Sequence, residues 1–449
     1  MRPSGIWGRL RHRVRQFAKW LVPGIRVKRF LALVLLGVLL VTAGALLLLL
    51  GYFRLRGDAL RWLLDLPDRA TLGLGGALVA LGLYGVFLGV RATIRSVAGV
   101  FLPRGDHRLV ELLVQRRALP RGPRIVAIGG GTGLSTLLRG LKAYATYLTA
   151  VVTVTDDGGS SGRLRRELGI LPPGDINDCL VALAEVEPVM TRLFQYRFDR
   201  GDLVGHSFGN LFLASMVGVG GDLVSAVRLA SRVLAIRGQV LPATADHVVL
   251  GAEFVDGTVV EGESAIPQAR KAIRRVYLNP PNVRPVPEVL EAIVEADLIL
   301  LGPGSLFTSV LPNLLVPGIA EALRGVSAPV VYIVNVMTQP GETDGFRASD
   351  HVRTVVEHLG PGVVDVALVN TQMPRNRGLL ERYREQGAFP VEPDLERIRH
   401  LGVETVGRPL MSERDLLRHD PARLAQAVLE ILERLLHRRR PLRVSVINP

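Results

Sequence analysis

Arg124-Ile125-Val126-Ala127-Ile128-Gly129-Gly130-Gly131-Thr132-Gly133-Leu134-Ser135 is a short apolar strand that runs into a glycine turn and a helix start. Further on, Ala150-Val151-Val152-Thr153-Val154-Thr155-Asp156-Asp157-Gly158-Gly159-Ser160-Ser161-Gly162 repeats the pattern with acid added. Glycines let the backbone take positive φ and bring N–H groups against a ligand with no Cβ in the way. A helix beginning near Leu134 aims its unpaired N–H groups and positive dipole end at that spot, which suits an anion. The turn is not GxGxxG, because Leu134 stands where the third glycine would be. Nor is it a P-loop, which would close on Gly-Lys-Ser/Thr. A tight strand-to-helix turn without a ligand is the plain alternative. Together the two loops predict a phosphate site beside a site for a metal ion or sugar hydroxyl, and so a phosphorylated, nucleotide-bearing ligand.

Outward from these loops, apolar runs alternate with helical patterns. Ile125–Ile128, Ala150–Thr155, Leu298–Leu301, Val330–Asn335 and Val364–Val369 read as strands; Leu134–Leu141 and Ser349–Leu359 read as helices. Such alternation predicts an α/β fold with a mostly parallel, Rossmann-like sheet. Val240 to Val276 reads as a small β insertion, with short strands at Val248–Leu250, Glu253–Val255 and Thr258–Val260. Ala422 to Leu436 reads as a closing amphipathic helix, followed by the charge run His437-Arg438-Arg439-Arg440.

Ligands of such sheets sit beyond the carboxyl ends of the strands. Two more polar turns fall at such ends: Leu301-Gly302-Pro303-Gly304-Ser305-Leu306-Phe307-Thr308-Ser309 and Asn335-Val336-Met337-Thr338-Gln339-Pro340-Gly341-Glu342-Thr343. Four in register on one edge are hard to attribute to turn chemistry alone. Between them lie Gly174-Asp175-Ile176-Asn177-Asp178 and Gly205-His206-Ser207-Phe208-Gly209-Asn210. Asp175 and Asn210 read either as helix caps or as ligand contacts. His206 reads either as a ligand contact or as a core histidine. No Ser/His/Asp triad and no zinc spacing stands out.

The chain of 449 residues carries a net charge of +14, unevenly placed. Residues 1–29 hold Arg2, Arg9, Arg11, Arg13, Arg15, Lys19, Arg26, Lys28 and Arg29 and no acid. Phe30 to Phe53 and Ala70 to Val90 are uncharged apolar runs, each long enough for a bilayer crossing of ~20 residues. Basic residues resume at Arg91, Arg95, Arg104 and Arg108. Positive charge on both outer flanks predicts a two-helix transmembrane hairpin, with the N-terminus and the main domain cytoplasmic. The length of the first run and the presence of a second argue against a cleavable signal peptide. Attraction to anionic lipid accounts for the basic start better than nucleic acid does, since few aromatics interleave it. The single Cys179 excludes an intramolecular disulfide and, in an apolar run, reads as a buried core thiol. The expected organisation is a basic segment at 1–29, two spans with a connector at 30–90, a linker at 91–123, the α/β domain at 124–437 and a basic tail at 438–449.

GGGTGLS, TVTDDGGSSGRLR, LPPGD, GHSFGNLF, VLPAT, LGPGSLFTSVLPNLL, NVMTQPGET, DHV and RHD, in this order, resemble the YvcK/CofD-like family of gluconeogenesis factors, related to 2-phospho-L-lactate transferase. The resemblance runs from about Arg124 to His437 and implies a Rossmann-like sheet. The transferase branch uses a guanylyl-activated donor with Mg2+. The YvcK branch, whose wording this chain carries, implies binding of UDP-sugars, notably UDP-N-acetylglucosamine, in the regulation of cell shape and cell-wall precursor supply. Carried over by position, Gly130, Gly131, Thr132 and Gly133 face the nucleotide phosphates. Asp156 and Asp157 take a metal or sugar hydroxyls, and would hold magnesium if the protein is a transferase. Asn210, Gly304 and Ser305 line the same cleft, and Arg418 supplies a cation to the diphosphate. Cell-wall synthesis proteins, anionic membrane lipid and a second copy of the chain are the expected partners; nucleic acid is not. Where many relatives read Gly-Asp-Ile-Arg-Asn, this chain has Gly174-Asp175-Ile176-Asn177-Asp178, so one arginine is missing. A nicotinamide-dependent oxidoreductase is a third option, favoured by the position of Asp156 and opposed by the absent GxGxxG.

Overall fold

The computed structural model describes residues 27–56, 68–101 and 122–439, except 146, 186 and 415. Residues 1–26 of the basic start, 57–67 of the connector, 102–121 of the expected linker and 440–449 of the tail lie outside the described residues, and the first part of that linker, 91–101, is the end of a helix. The chain divides into two units, residues 1–115 and 116–449.

In the first unit, helices Val27–Arg56 and Asp68–Phe101 contain apolar stretches, Ala32–Leu50 and Ala70–Ala92, long and apolar enough to cross a membrane. They pack through glycines. A Cβ on Gly37 would fall 2.7 Å from the Gly82 carbonyl oxygen, and one on Gly44 would fall 2.7 Å from that of Gly75. These pairings make the helices antiparallel, and small residues of this kind allow the close backbone approach on which helix pairing in lipid depends. Leu39, Leu81 and Phe87 stay exposed on the outside. The Thr42 hydroxyl donates back to the Val38 and Leu39 carbonyls, which satisfies it without water.

Among its described residues the second unit holds twelve strands: β1 (Arg124–Gly129), β2 (Tyr147–Val152), β3 (Gln239–Pro242), β4 (Val249–Phe254), β5 (Val259–Glu261), β6 (Ile273–Asn279), β7 (Leu298–Leu301), β8 (Val330–Ile333), β9 (Val366–Asn370), β10 (Glu404–Arg408), β11 (Met411–Ser412) and β12 (Arg418–His419). Seven form one sheet in the order β10-β9-β8-β7-β1-β2-β3, every neighbouring pair parallel. All four side chains of β7 and of β8 are buried, as a sheet covered on both faces requires. Each such buried aliphatic contributes roughly 1.5–3 kcal/mol. The chain winds from β1 through β2 to β3 in one direction and from β7 to β10 in the other. Right-handed crossovers then place the two sets of helices on opposite faces. Helix Gly131–Leu141 packs against helix Gly174–Leu183 and the closing helix Pro421–Arg439. Cys179 is fully buried in this core, and burial pushes its thiol well up.

The β insertion differs from its sequence reading. Val240 belongs to β3 of the main sheet, and the insertion is the antiparallel sheet β5-β4-β6, which continues past Val276 to Asn279. Val248–Leu250 and Glu253–Val255 are not separate strands; β4 runs through both. Gly251 does not interrupt it, because it pairs with Tyr277 and a Cβ there would meet the tyrosine ring at 2.3 Å. The glycine makes room for the ring, a common reason for glycine inside a strand.

Candidate functional site

The winding direction reverses between β1 and β7, and ligands of doubly wound sheets bind in the crevice at such a point. The loops that leave these two strands touch through backbone: a Cβ on Gly304 would lie 3.1 Å from the Gly130 carbonyl oxygen. Above them opens a cleft of about 210 Å³. Gly130, Gly131, Thr132 and Gly133 line it from the β1 side, Gly304 and Ser305 from β7, and Arg418 from β12. Seven of the sequence-predicted residues therefore meet in one place.

Helix Gly131–Leu141 starts at the turn itself, three residues earlier than the sequence suggested, with Gly130 in extended conformation and Gly131 at φ +62°. Its first-turn N–H groups have no partner within the helix and point out of its positive end. One of them is occupied: the Gly131 N–H donates to the Asp175 carboxylate. A Cβ on Gly130 would fall 2.4 Å from Asp175 Oδ2, so only glycine fits there. Burial raises the Asp175 carboxyl to about 7, helped by Asp156 and Asp178, while the Gly131 N–H opposes the shift. Thr132 and Gly133 face the cleft.

The remaining wall comes from the loop after β8 and from the β11–β12 hairpin. Asn335 Oδ1 accepts the Gly304 N–H at 3.4 Å, and Gln339 Nε2 donates to Ser305 Oγ at 2.6 Å, which ties the β8 loop to the β7 loop. Arg418 is exposed, and among the described residues its guanidinium makes no hydrogen bond or ion pair. His419, beside it, is buried; burial lowers its pKa to about 4. Asn335, Gln339 and His419 were not singled out in the sequence, although each lies in a loop that was; only burial and pairing distinguish them.

Asp156, Asp157 and Asn210 lie outside the cleft lining. Asp156 Oδ1 accepts the Gly158 N–H at 2.9 Å, and burial raises its carboxyl against that bond and one from Ser161. Asp157 Oδ1 accepts the Ser264 N–H at 2.9 Å and so fastens the second glycine loop to the segment after β5. Glu263 stands near both aspartates, raised to about 8 by burial and then by Asp156 and Asp175. Among the described residues no three His, Cys, Asp or Glu side chains are grouped to hold a metal ion. Asp156 and Asp157, each with one carboxylate oxygen taken by a backbone N–H and with no third ligating side chain grouped beside them among the described residues, do not by themselves make a magnesium centre. Asn210 Oδ1 accepts from Asn177 Nδ2 at 2.9 Å and Asn210 Nδ2 donates to Ser161 Oγ at 3.3 Å, which joins three helices behind the loops. The helix cap there is Ser207, whose side chain accepts the Asn210 N–H. Asn177 thus holds Asn210. His206 is buried and bonds Ser160 through Nδ1 at 3.0 Å.

A family profile described as 2-phospho-L-lactate transferase CofD matches residues 125–411. The gluconeogenesis factor of Bacillus subtilis (strain 168) is 50% identical over 313 residues, covering 69% of this chain and 98% of that one. This chain belongs to the CofD/YvcK-like family. Another family member, from Nostoc sp. (strain PCC 7120), is 48% identical over 436 residues, 94% of each chain. A crystal structure of a UPF0052-family protein from Bacillus halodurans superposes with a TM-score of 0.67 at 51% identity, over 69% of this chain and 99% of that one. The family assignment agrees with the mostly parallel α/β sheet.

Proposed function

We propose that the cleft binds a UDP-sugar, UDP-N-acetylglucosamine in particular, and that the protein is a membrane-anchored regulator of cell-wall precursor supply and cell shape. The observation that carries this reading is the meeting of two glycine loops at the β1/β7 switch point, with a helix N-terminus and the exposed Arg418 beside them. A diphosphate suits backbone N–H groups and a guanidinium, which bind it by charge-assisted hydrogen bonds. The names of the relatives support a role in gluconeogenic metabolism. The two apolar helices support a membrane anchor, and the flanking arginines support a cytoplasmic soluble domain beside anionic lipid. Calorimetric titration of the full-length protein in detergent with UDP-N-acetylglucosamine, GDP and NAD tests the binding claim. Tight binding of the UDP-sugar without turnover is the expected result; preference for GDP or NAD refutes it.

A second reading has one specific support, the transferase description of the matching family profile. On it, magnesium would arrive with the nucleotide rather than reside in a preformed protein site. Magnesium-dependent consumption of a guanylyl donor would establish this reading in place of the first.

A further inference from the structure

Among the described residues, two buried polar atoms in residues that line the cleft have no hydrogen-bond partner: Gln339 Oε1 and His419 Nε2. In Gln339 the Nε2 end donates to Ser305 Oγ, which leaves Oε1 as the unpaired end. That end is an oxygen, which only accepts, so it calls for an N–H or O–H on the ligand. His419 is 5% exposed, and burial keeps it neutral at physiological pH, so Nε2 offers one hydrogen-bonding position and no charge. An ionised diphosphate carries no hydrogen for the amide oxygen to accept, so phosphate binding does not account for Gln339. The loop that bears it follows β8, two strands away from β1. It lines the same cleft as the glycine turn, on the far side of the β7 loop. Buried groups of this kind are unfavourable when unpaired, and a ligand that pairs them is selected over one that does not.

We propose that Gln339 and His419 read the neutral, hydrogen-bonding part of the ligand and so set its specificity, the ligand class being a nucleotide whose base or sugar offers an N–H or O–H. This rests on the reading of the cleft as a diphosphate site.

The test uses the full-length chain in detergent and four probes, UDP-N-acetylglucosamine, UDP, GDP and inorganic pyrophosphate, measured by calorimetry. Gln339→Met and His419→Phe each lose roughly five- to hundredfold in affinity for the UDP-sugar, the range set by one unpaired buried group. Their affinity for pyrophosphate stays within about twofold, which also shows that the variants are folded; if one variant does not fold, the other decides. A loss already present with UDP assigns the contact to the base, and a loss confined to the UDP-sugar assigns it to the sugar. Unchanged UDP-sugar affinity, or a parallel fall for pyrophosphate, overturns the proposal. Wild-type protein that binds pyrophosphate and GDP but not the UDP-sugar, with the Gln339→Met loss seen on GDP, sinks the UDP-sugar reading and leaves this one standing. Wild-type protein that binds none of the probes overturns both.

Discussion

Gly133 lies so close to Pro303 that a Cβ on it would sit 2.4 Å from the proline carbonyl oxygen. The contact joins the loop after β1 to the loop after β7, backbone to backbone, across the point where the sheet reverses its winding. Neither loop can move toward the other, and neither can be held apart by a side chain without deforming the cleft.

Gly133→Ala is therefore expected to force these loops apart. Because the obstacle is backbone, the strain amounts to about 1–3 kcal/mol of stability. UDP-sugar binding is expected to vanish with it. Gly325→Ala is the control, since nothing lies within 4 Å of a Cβ at that position. Calorimetry and thermal unfolding of both variants check this; full binding by Gly133→Ala refutes the geometry.

Arg418→Ala is expected to leave stability within about 0.5 kcal/mol, as for most exposed positions. Its affinity for the UDP-sugar should fall about tenfold to a hundredfold, in line with the loss of charge-assisted hydrogen bonds. Arg418→Lys keeps the charge but not the planar fork, and should fall between the two. An Arg418→Ala protein that binds as tightly as wild type removes Arg418 from the site.

Asp175, Glu263 and Glu342 have carboxyls raised to about 7, about 8 and about 7, with burial the first cause in each. Unfolding returns them to the ordinary carboxylate range near 4. Between those values the folded chain holds more protons than the unfolded one, so stability falls as pH rises. The buried histidines His206, His351 and His419, all lowered, act in the opposite direction, but only below about pH 6.5. From pH 6.5 to 8 the thermal midpoint should drop by about 2–6 °C. Glu263→Gln should remove part of that drop. A midpoint that climbs over this interval contradicts the assignment.

Asn210→Leu should destabilise the protein by about 1–3 kcal/mol, because Asn177 Oδ1 already lacks a partner and Nδ2 would lose its own. The double variant Asn177→Leu/Asn210→Leu should lose less than the sum of the two single changes. Denaturant titration measures the coupling; additivity within about 0.5 kcal/mol would show the two amides to be independent.

What the sequence disclosed depended on contrast. β1, β2, β7, β8 and β9 stand out as runs of branched apolar residues ended by glycine, asparagine or hydroxyl residues. β3 is only Gln239–Pro242 and merges with the insertion that follows. β10, Glu404-Thr405-Val406-Gly407-Arg408, is a half-exposed edge strand with one fully buried side chain, so no apolar run marks it. The cleft was legible where glycine turns marked it. The aspartates were harder to place, because the Ser264 N–H that takes Asp157 is over a hundred residues away in sequence. Nothing in the order of residues tells that His419 is buried while Arg418 next to it is exposed.

Since all seven strands of the main sheet run the same way, Arg124 enters β1 at the rim opposite the ligand mouth. The gluconeogenesis factor of Bacillus subtilis matches 69% of this chain yet 98% of its own length, so a shorter relative shares most of the sequence that builds this fold. On the proposed reading, membrane attachment and ligand recognition are then separately tradable modules.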